Sequence, residues 1–306
     1  MTEVAPGITM IDTLLGGREG ITAAFLVAGP SPALVETGAR TSAQTVRDGL
    51  AAAGMGPEDL AWIVLTHVHL DHCGGTGIVS AAFPRATVVV HGRGARHLAE
   101  PRRLVAGSAA VYGPRWSLYG GLDPTPADRI VAAADGHRVR VGPGRDLVML
   151  ETPGHARHHM SVLDEATGTV LAGDALGVRL GAGGLYPALP PSEVDLEAGD
   201  RSLARIGRLA PQRLCLGHFG PAVDPEAEVA VAREQLARCA EAVAAAGPVP
   251  TVLAAELDRL LPLDPTVGDA EAADRLRWIG WPEANVDGLA GWAERLRARD
   301  GATAGQ

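Results

Sequence analysis

Residues 66–75 read Thr-His-Val-His-Leu-Asp-His-Cys-Gly-Gly and follow directly on the apolar run AWIVL at 61–65. Four side chains able to bind a metal, His67, His69, Asp71 and His72, therefore stand within six residues at the end of a buried strand. A turn there can aim all four at one spot, because Gly74 and Gly75 let the backbone swing away into the next helix. Imidazole with carboxylate suits zinc, iron or manganese, and one cluster of this kind needs further ligands from elsewhere in the chain. The bland alternative is a polar surface turn. Three of the ten histidines packed beside an aspartate at a strand end argue against it.

Three other apolar runs end the same way. Thr152-Pro153-Gly154-His155 closes the run 146–151, Gly173-Asp174 closes 168–172, and Gly217-His218 closes 213–216. Each places one polar side chain after a strand, with glycine beside it for close backbone approach. One such residue alone would only cap a loop. Four sites in one chain are hard to explain as separate accidents.

The periodicity predicts a hairpin of strands at 21–29 and 33–37, a helix over 41–53, and strands at 61–65 and 87–91. A helix is expected over 92–106 and an irregular loop over 107–128, which carries Tyr112, Trp116 and Tyr119. Strands return at 137–141, 146–151, 159–164 and 168–172, followed by a helix at 195–209 and a strand at 213–216. The segment 181–191 is too rich in Gly and Pro for an element. Beyond Pro221 helices are expected at 224–246, 250–261, 269–279 and 286–299, with a frayed 301–306. Strands followed by helices, twice over, give an α+β fold of two sheets face to face with helices outside. The expected division is a catalytic domain at 1–222 and a helical C-terminal extension at 223–306. The stripe Val229, Leu236, Cys239 and Val243 should lay the long helix on the sandwich. Trp278, Trp281 and Trp292 are candidate anchors of a lid or a homodimer contact.

Composition narrows the chemistry. The 306 residues carry 27 basic groups against 36 acidic ones, net −9, and every basic one is Arg. The missing Lys excludes Schiff-base chemistry, a Lys nucleophile and a phosphate-loop lysine. The acidic balance argues against a nucleic-acid partner. No GxSxG stands in the chain. The three cysteines, Cys73, Cys215 and Cys239, form no CxxC pair, which fits a reducing compartment. No signal peptide and no apolar run of membrane-spanning length is present, so a cytoplasmic protein without a membrane partner is expected.

The set HxHxDH at 67–72 with His155, Asp174 and His218 resembles the metallo-β-lactamase fold superfamily of hydrolases, over roughly residues 20–222. The run ALVETG at 33–38 is part of the likeness, with Glu36 where many members carry Asp. PGHARHH, AGDA and GHFG are most like the glyoxalase II-like branch. The resemblance implies a four-layer αββα sandwich. It implies two divalent metal ions, zinc first, with iron or manganese as alternatives. His67, His69 and His155 would hold one, Asp71, His72 and His218 the other, and Asp174 would bridge them. A water between two cations would act as a bridging hydroxide, with Asp71 as the catalytic group that orients it. The expected reaction is hydrolysis of a small-molecule thioester or carboxylic ester, ahead of a lactone. Members with Cys in the second site are excluded by Asp174 at the bridging position. Ala175, Leu176 and Gly177 after that Asp depart from the Tyr common in lactone-hydrolysing members. The runner-up is the persulfide dioxygenase branch, an oxidoreductase with one iron on two His and one Asp. A non-catalytic member is disfavoured, because inactive relatives usually lose ligands.

Among the remaining residues, Cys73, Cys215 and Cys239 read as structural. His158 and His159 divide evenly between supporting a ligand and lying at a strand start, and His91 and His97 read as loop packing. Tyr112, Trp116, Tyr119 and Tyr186 divide evenly between lining a substrate pocket and packing loops.

Overall fold

A computed structural model describes residues 1–180, 184–261 and 270–303. The first sheet holds seven strands in chain order: β1 (Thr2–Ala5), β2 (Ile8–Asp12), β3 (Ala23–Val27), β4 (Ala33–Val35), β5 (Trp62–Val64), β6 (Thr87–His91) and β7 (Ile130–Ala133). β1 to β4 pair antiparallel, whereas β4 to β7 run parallel. The helices threaded between these strands are α1 (Ala43–Ala52), the one-turn α2 (Leu70–Cys73), α3 (Thr76–Ala82), α4 (Gly92–Ala99), α5 (Arg102–Tyr112) and α6 (Trp116–Tyr119). The second sheet has six strands: β8 (Arg138–Gly142), β9 (Arg145–Glu151), β10 (Met160–Asp164), β11 (Thr169–Leu171), β12 (Arg213–Leu216) and the short β13 (Gly220–Pro221). Between β11 and β12, which pair in parallel, runs α7 (Leu196–Arg208). The chain ends in α8 (Pro225–Ala246), α9 (Pro250–Leu260), α10 (Ala270–Ile279) and α11 (Trp281–Thr303).

Strand alternation explains the layers. Phe25, Val27, Val64 and Val89 point inward and meet Val139, Leu147, Met149, Met160 and Val162 of the second sheet. Their neighbours Leu26, Ile63, Leu65, Val88 and Val90 point outward and are covered by α1 and α3. Both faces of the strands are buried, so they read as continuous apolar runs. On the far side Val170, Leu214 and Leu216 pack against Leu203 and Ile206 of α7 and Val229 of α8. The result is the expected α+β fold, with two mixed sheets and outer helices.

Several expectations were off, for identifiable reasons. The hairpin β1–β2 turns at Pro6-Gly7, where Gly7 has φ +68°, and its half-exposed strands lack a solid apolar run. The helix over 92–106 is two helices, because Pro101 cannot continue α4 and instead leads into α5. The loop over 107–128 is largely helical, since α5 runs to Tyr112 and α6 follows. Its helices bury so little on α5 that no apolar stripe signals them. β7 is an edge strand of Ile, Val and two Ala, too weak to read. The last helix starts at Trp281, not at 286, and runs to Thr303, so 301–303 are helical and not frayed; residues 304–306 and 181–183 lie outside the described residues. In 184–191 only Tyr186 pairs, with Val178.

The stripe on α8 divides its work. Val229 faces α7 and the second sheet, whereas Cys239 and Val243 face α9 and α11 in a separate apolar cluster. Trp281 and Trp292 are buried within the chain itself, and Trp278 stacks beneath Arg18 at 4.4 Å. No helix among the described residues is long and apolar enough to cross a membrane.

The two sheets are also tied by one side chain. Arg145 of β9 pairs with the fully buried Asp164 at 2.7 Å and donates to Ala28 O at 3.2 Å and Pro6 O at 3.1 Å in the first sheet. Arg145→Met leaves that carboxylate without its cation and should cost about 3 kcal/mol. Urea unfolding measures it, and a loss well under ~1 kcal/mol would show that Asp164 is adequately held by Thr167 alone.

Candidate metal centre

The C-terminal ends of four strands meet at one rim of the sandwich. β5 delivers Thr66 to Cys73, β9 delivers Thr152 to His155, β11 delivers Gly173-Asp174, and β12 delivers Gly217-His218. The rim is stitched by backbone hydrogen bonds from Met160 N–H to Thr66 O at 2.8 Å and from Ala23 N–H to Gly217 O at 2.9 Å. Gly173 has φ +55°, and a Cβ there would stand 2.6 Å from His159 Nε2 and 2.8 Å from Thr66 Oγ1. Only glycine brings the backbone before Asp174 so close to both. The carbonyls at the end of α2 are satisfied by Thr37 Oγ1 on His72 O at 3.0 Å and Thr76 Oγ1 on Cys73 O at 2.7 Å.

The structure gathers all seven sequence-identified residues. Three groups have ligand atoms mutually within 4.8 Å: His67, His69 and His155; His67, His72 and Asp174; Asp71, His72 and His218. Asp174 is the common member in space. Its carboxylate lies 3.3 Å from His72 Nε2, 3.5 Å from His155 Nε2, 3.7 Å from His218 Nε2 and 3.9 Å from His67 Nε2. Asp71 Oδ2 lies 3.2 Å from His218 Nε2.

The outward nitrogens decide what the inward ones can do. His155 Nδ1 donates to Ala188 O and His218 Nδ1 to Ile21 O, each at 2.8 Å. His72 Nδ1 lies 3.5 Å from Glu36 Oε2, and His67 Nδ1 lies 2.9 Å from Thr66 Oγ1. An imidazole that gives its proton outward presents a bare lone pair inward. Yet His72 Nε2 and His218 Nε2 are 3.1 Å apart, His69 Nδ1 and His155 Nε2 are 2.8 Å apart, and the buried His67 Nε2 has no hydrogen-bond partner among the described residues. Converging lone pairs beside two carboxylates are costly to bury alone and fit divalent cations. The donor set thus passes the test of chemistry as well as of distance.

Electrostatics agree with that reading for His67, His69 and His155. Burial, then neighbouring imidazoles, lowers His67 and His69 well below the usual histidine range, and burial lowers His155. His72 goes the other way: burial opposes it, but Asp174, Asp71 and Glu36 raise it well above. Burial pushes the Asp71 carboxyl up, but His72 and His218 outweigh it and bring it down to about 2. Asp174 is likewise held well below the carboxylate range against the opposing pull of burial, by His72, His218 and His155.

A cavity of about 410 Å³ opens above the centre. His69, Asp71 and Asp174 form its floor, and Tyr112, Tyr119, His97 and His158 lie on one wall. Tyr112 and Tyr119 stack at 3.9 Å and 16°. Trp281 closes another side and meets the His218 ring edge-on at 5.3 Å. His97 is therefore a pocket residue and not loop packing, whereas His91 is tied to Glu151 at 3.3 Å. Trp116 does not line this cavity. Tyr186 is buried in packing. His159 supports the centre: its Nε2 accepts the Asp174 N–H at 3.0 Å, and its Nδ1 meets Thr152 Oγ1 at 2.9 Å. Burial lowers His158, whose ring faces Glu193, to about 4. Two supporting groups had no signal in the sequence. Ala188 acts through its carbonyl, and Asn285 comes from the distant helix α11.

The sequence profile of the Metallo-beta-lactamase superfamily matches residues 16–218, two thirds of the chain and the whole rim just described. The chain belongs to the metallo-beta-lactamase superfamily. It is 30% identical over 167 residues to a metallo-beta-lactamase fold-containing protein of Sulfurisphaera tokodaii, covering 53% of this chain and 62% of that one. It is 31% identical over 156 residues to the hydroxyacylglutathione hydrolase of Bdellovibrio bacteriovorus, covering 51% of this chain and 47% of that one. The chain spans between 47% and 68% of the length of these and similar curated relatives. Among solved structures, the archaeal superfamily member from Sulfolobus tokodaii aligns with a TM-score of 0.67 at 24% identity, covering 92% of this chain and 98% of that one. A metallo-beta-lactamase family protein of Thermus thermophilus aligns at 0.65 and 25% identity, covering 96% of this chain and 94% of that one. For this superfamily member the αββα fold is thus established, with α8 to α11 lying beyond the segment that the sequence profile matches.

The thiols stand apart from the centre. Cys73, Cys215 and Cys239 are free and buried, and burial pushes Cys215 and Cys239 up to about 12. Cys73 is raised by burial and then by Glu36 and Asp71. The native protein at pH 8 should therefore give no fast reaction with a thiol reagent such as DTNB, and all three cysteines should titrate in guanidinium. A rapidly labelled Cys73 would place that thiol at the site.

Proposed function

We propose that this chain is a binuclear metal-dependent hydrolase of the glyoxalase II-like kind, cleaving an ester-like bond in a small molecule. A thioester or carboxylic ester is favoured ahead of a lactone. The observation that carries the proposal is the pair of complete three-ligand sets, with Asp174 within 4 Å of imidazoles from both. His67, His69 and His155 would hold the first ion, Asp71, His72 and His218 the second, and Asp174 would bridge. Zinc is the proposed metal, on a nitrogen-rich set with no thiolate. When bound, two such ions supply Lewis acidity for a carbonyl and a water acidified to near-neutral pKa.

The chain's own groups do the rest. Asp71 is ionised throughout the neutral range, so it accepts a hydrogen bond from an attacking water and orients it toward the cavity. Tyr112 and Tyr119 are pushed up by burial and then by Asp71, so both stay protonated and offer hydrogen bonds to a substrate oxygen. A cavity of about 410 Å³ suits a small molecule. Phenols held well above neutrality are weak acids, so a leaving group that departs without full protonation is favoured over an amide nitrogen. Relatives named hydroxyacylglutathione hydrolases make an acyl-glutathione thioester one candidate, at 28–31% identity over little more than half this chain.

Metal analysis of protein purified without added metal should give about two zinc per chain. A panel of thioesters, aryl esters, lactones and persulfides should show hydrolysis of at least one ester class. Asp174→Ala should lose ~100-fold or more in kcat/KM, and His69→Ala should lose rate and the first ion together. One iron per chain, oxygen uptake with a persulfide and no ester hydrolysis would transfer the protein to the dioxygenase class. Undiminished turnover in Asp174→Ala would end the two-metal mechanism.

A further inference from the structure

Helix α11 grips the segment 187–189 from both sides. Asn285 is 1% exposed; its Nδ2 donates to Pro187 O and its Oδ1 accepts the Leu189 N–H, both at 2.7 Å. One turn later, Gly288 lies so close that a Cβ there would stand 1.9 Å from Leu189 O. The Leu189 N–H and the Ala188 carbonyl belong to one planar peptide unit and point in opposite directions. Holding the N–H therefore fixes where the carbonyl points. That carbonyl accepts the Nδ1 proton of His155 at 2.8 Å, which directs the other ring nitrogen into the centre. The chain of contacts runs from a helix some 130 residues downstream to one imidazole, without touching the cavity floor.

We infer that Asn285 is a positioning residue for His155, acting through the rigid Ala188–Leu189 peptide. The helical segment after residue 222 is then part of what builds the site. The inference rests on the hydrolase reading only for the consequence at the metal; the orientation of His155 is a property of the chain alone.

Two readouts test it. In metal-free protein labelled with 15N-histidine, the His155 Nδ1–H should be a slowly exchanging signal, assigned by its absence in His155→Gln. Asn285→Ala should speed that exchange by about tenfold or more, while Leu253→Ala, a truncation elsewhere in the same C-terminal apolar cluster, should leave it within about twofold. Asn285→Leu fills the same space without either hydrogen bond and should speed exchange as much as Asn285→Ala, which a merely space-filling role would not predict. In the second readout, zinc titration against a competing chelator should show one of the two site affinities reduced ~10-fold in Asn285→Ala and in Asn285→Leu and unchanged in Leu253→Ala. Unchanged exchange in Asn285→Ala or Asn285→Leu, or equal acceleration in Leu253→Ala, would overturn the assignment. If Asn285→Ala does not fold, the Leu variant alone decides. Absence of zinc binding in the wild type would defeat the metal reading and leave the exchange test of Asn285 intact.

Discussion

Everything at the rim depends on imidazoles whose outward nitrogen is tied down. A histidine buried among other histidines and carboxylates has two ring orientations and two tautomers, and only one combination faces a lone pair inward. Ile21 O and Ala188 O select that combination for His218 and His155, while Glu36 and the Thr66 hydroxyl face the outward nitrogens of His72 and His67. None of these four partners belongs to the seven-residue set, and two are bare carbonyls. The motif supplies the donors; the fold supplies their direction.

The centre was legible because its residues are chemically rare and follow strands. Three histidines in six residues after AWIVL, and single polar residues after three other apolar runs, survive translation into structure because strand ends are the best-defined points of the chain. The sandwich itself was legible for the same reason, through runs buried on both faces. What escaped reading lacks periodicity or side-chain chemistry. β1, β2 and β7 are short and half-exposed, α5 buries nothing fully, and the Ala188 carbonyl carries no letter in the sequence at all. Glu36 was visible as a departure from the more usual Asp; its longer arm reaches both Thr66 N–H at 3.1 Å and the His72 ring, which only the folded rim reveals.

The C-terminal helices illustrate how an addition becomes integral. A division at residue 222 follows the composition, yet α8 fills the outer face of the second sheet through Val229 and Ala232. Trp281 rests against His218, and Asn285 holds the segment that orients His155. Each contact is modest alone, but both end on rings of the centre. Removing the helices would expose the apolar cluster around Leu253 and Leu289 and free the His155 and His218 rings at the same time.

This arrangement separates chemistry from selectivity. The floor of the cavity is built by strand ends within residues 16–218, the part shared with the superfamily. Its walls come from α5 and α6, where Tyr112 and Tyr119 stack, and from α10 and α11, where Ile279, Trp281 and Glu283 face the opening. The likeness to curated relatives covers little more than half of the chain, and the profile match stops before the second wall begins. A rigid floor with walls from separate helices would let one reaction type serve different molecules, because binding energy from the walls changes which substrate is held while the reacting atoms keep their geometry. On the proposed hydrolase reading, the choice of substrate would rest on α5, α6, α10 and α11, whose side chains the ligand motif does not constrain.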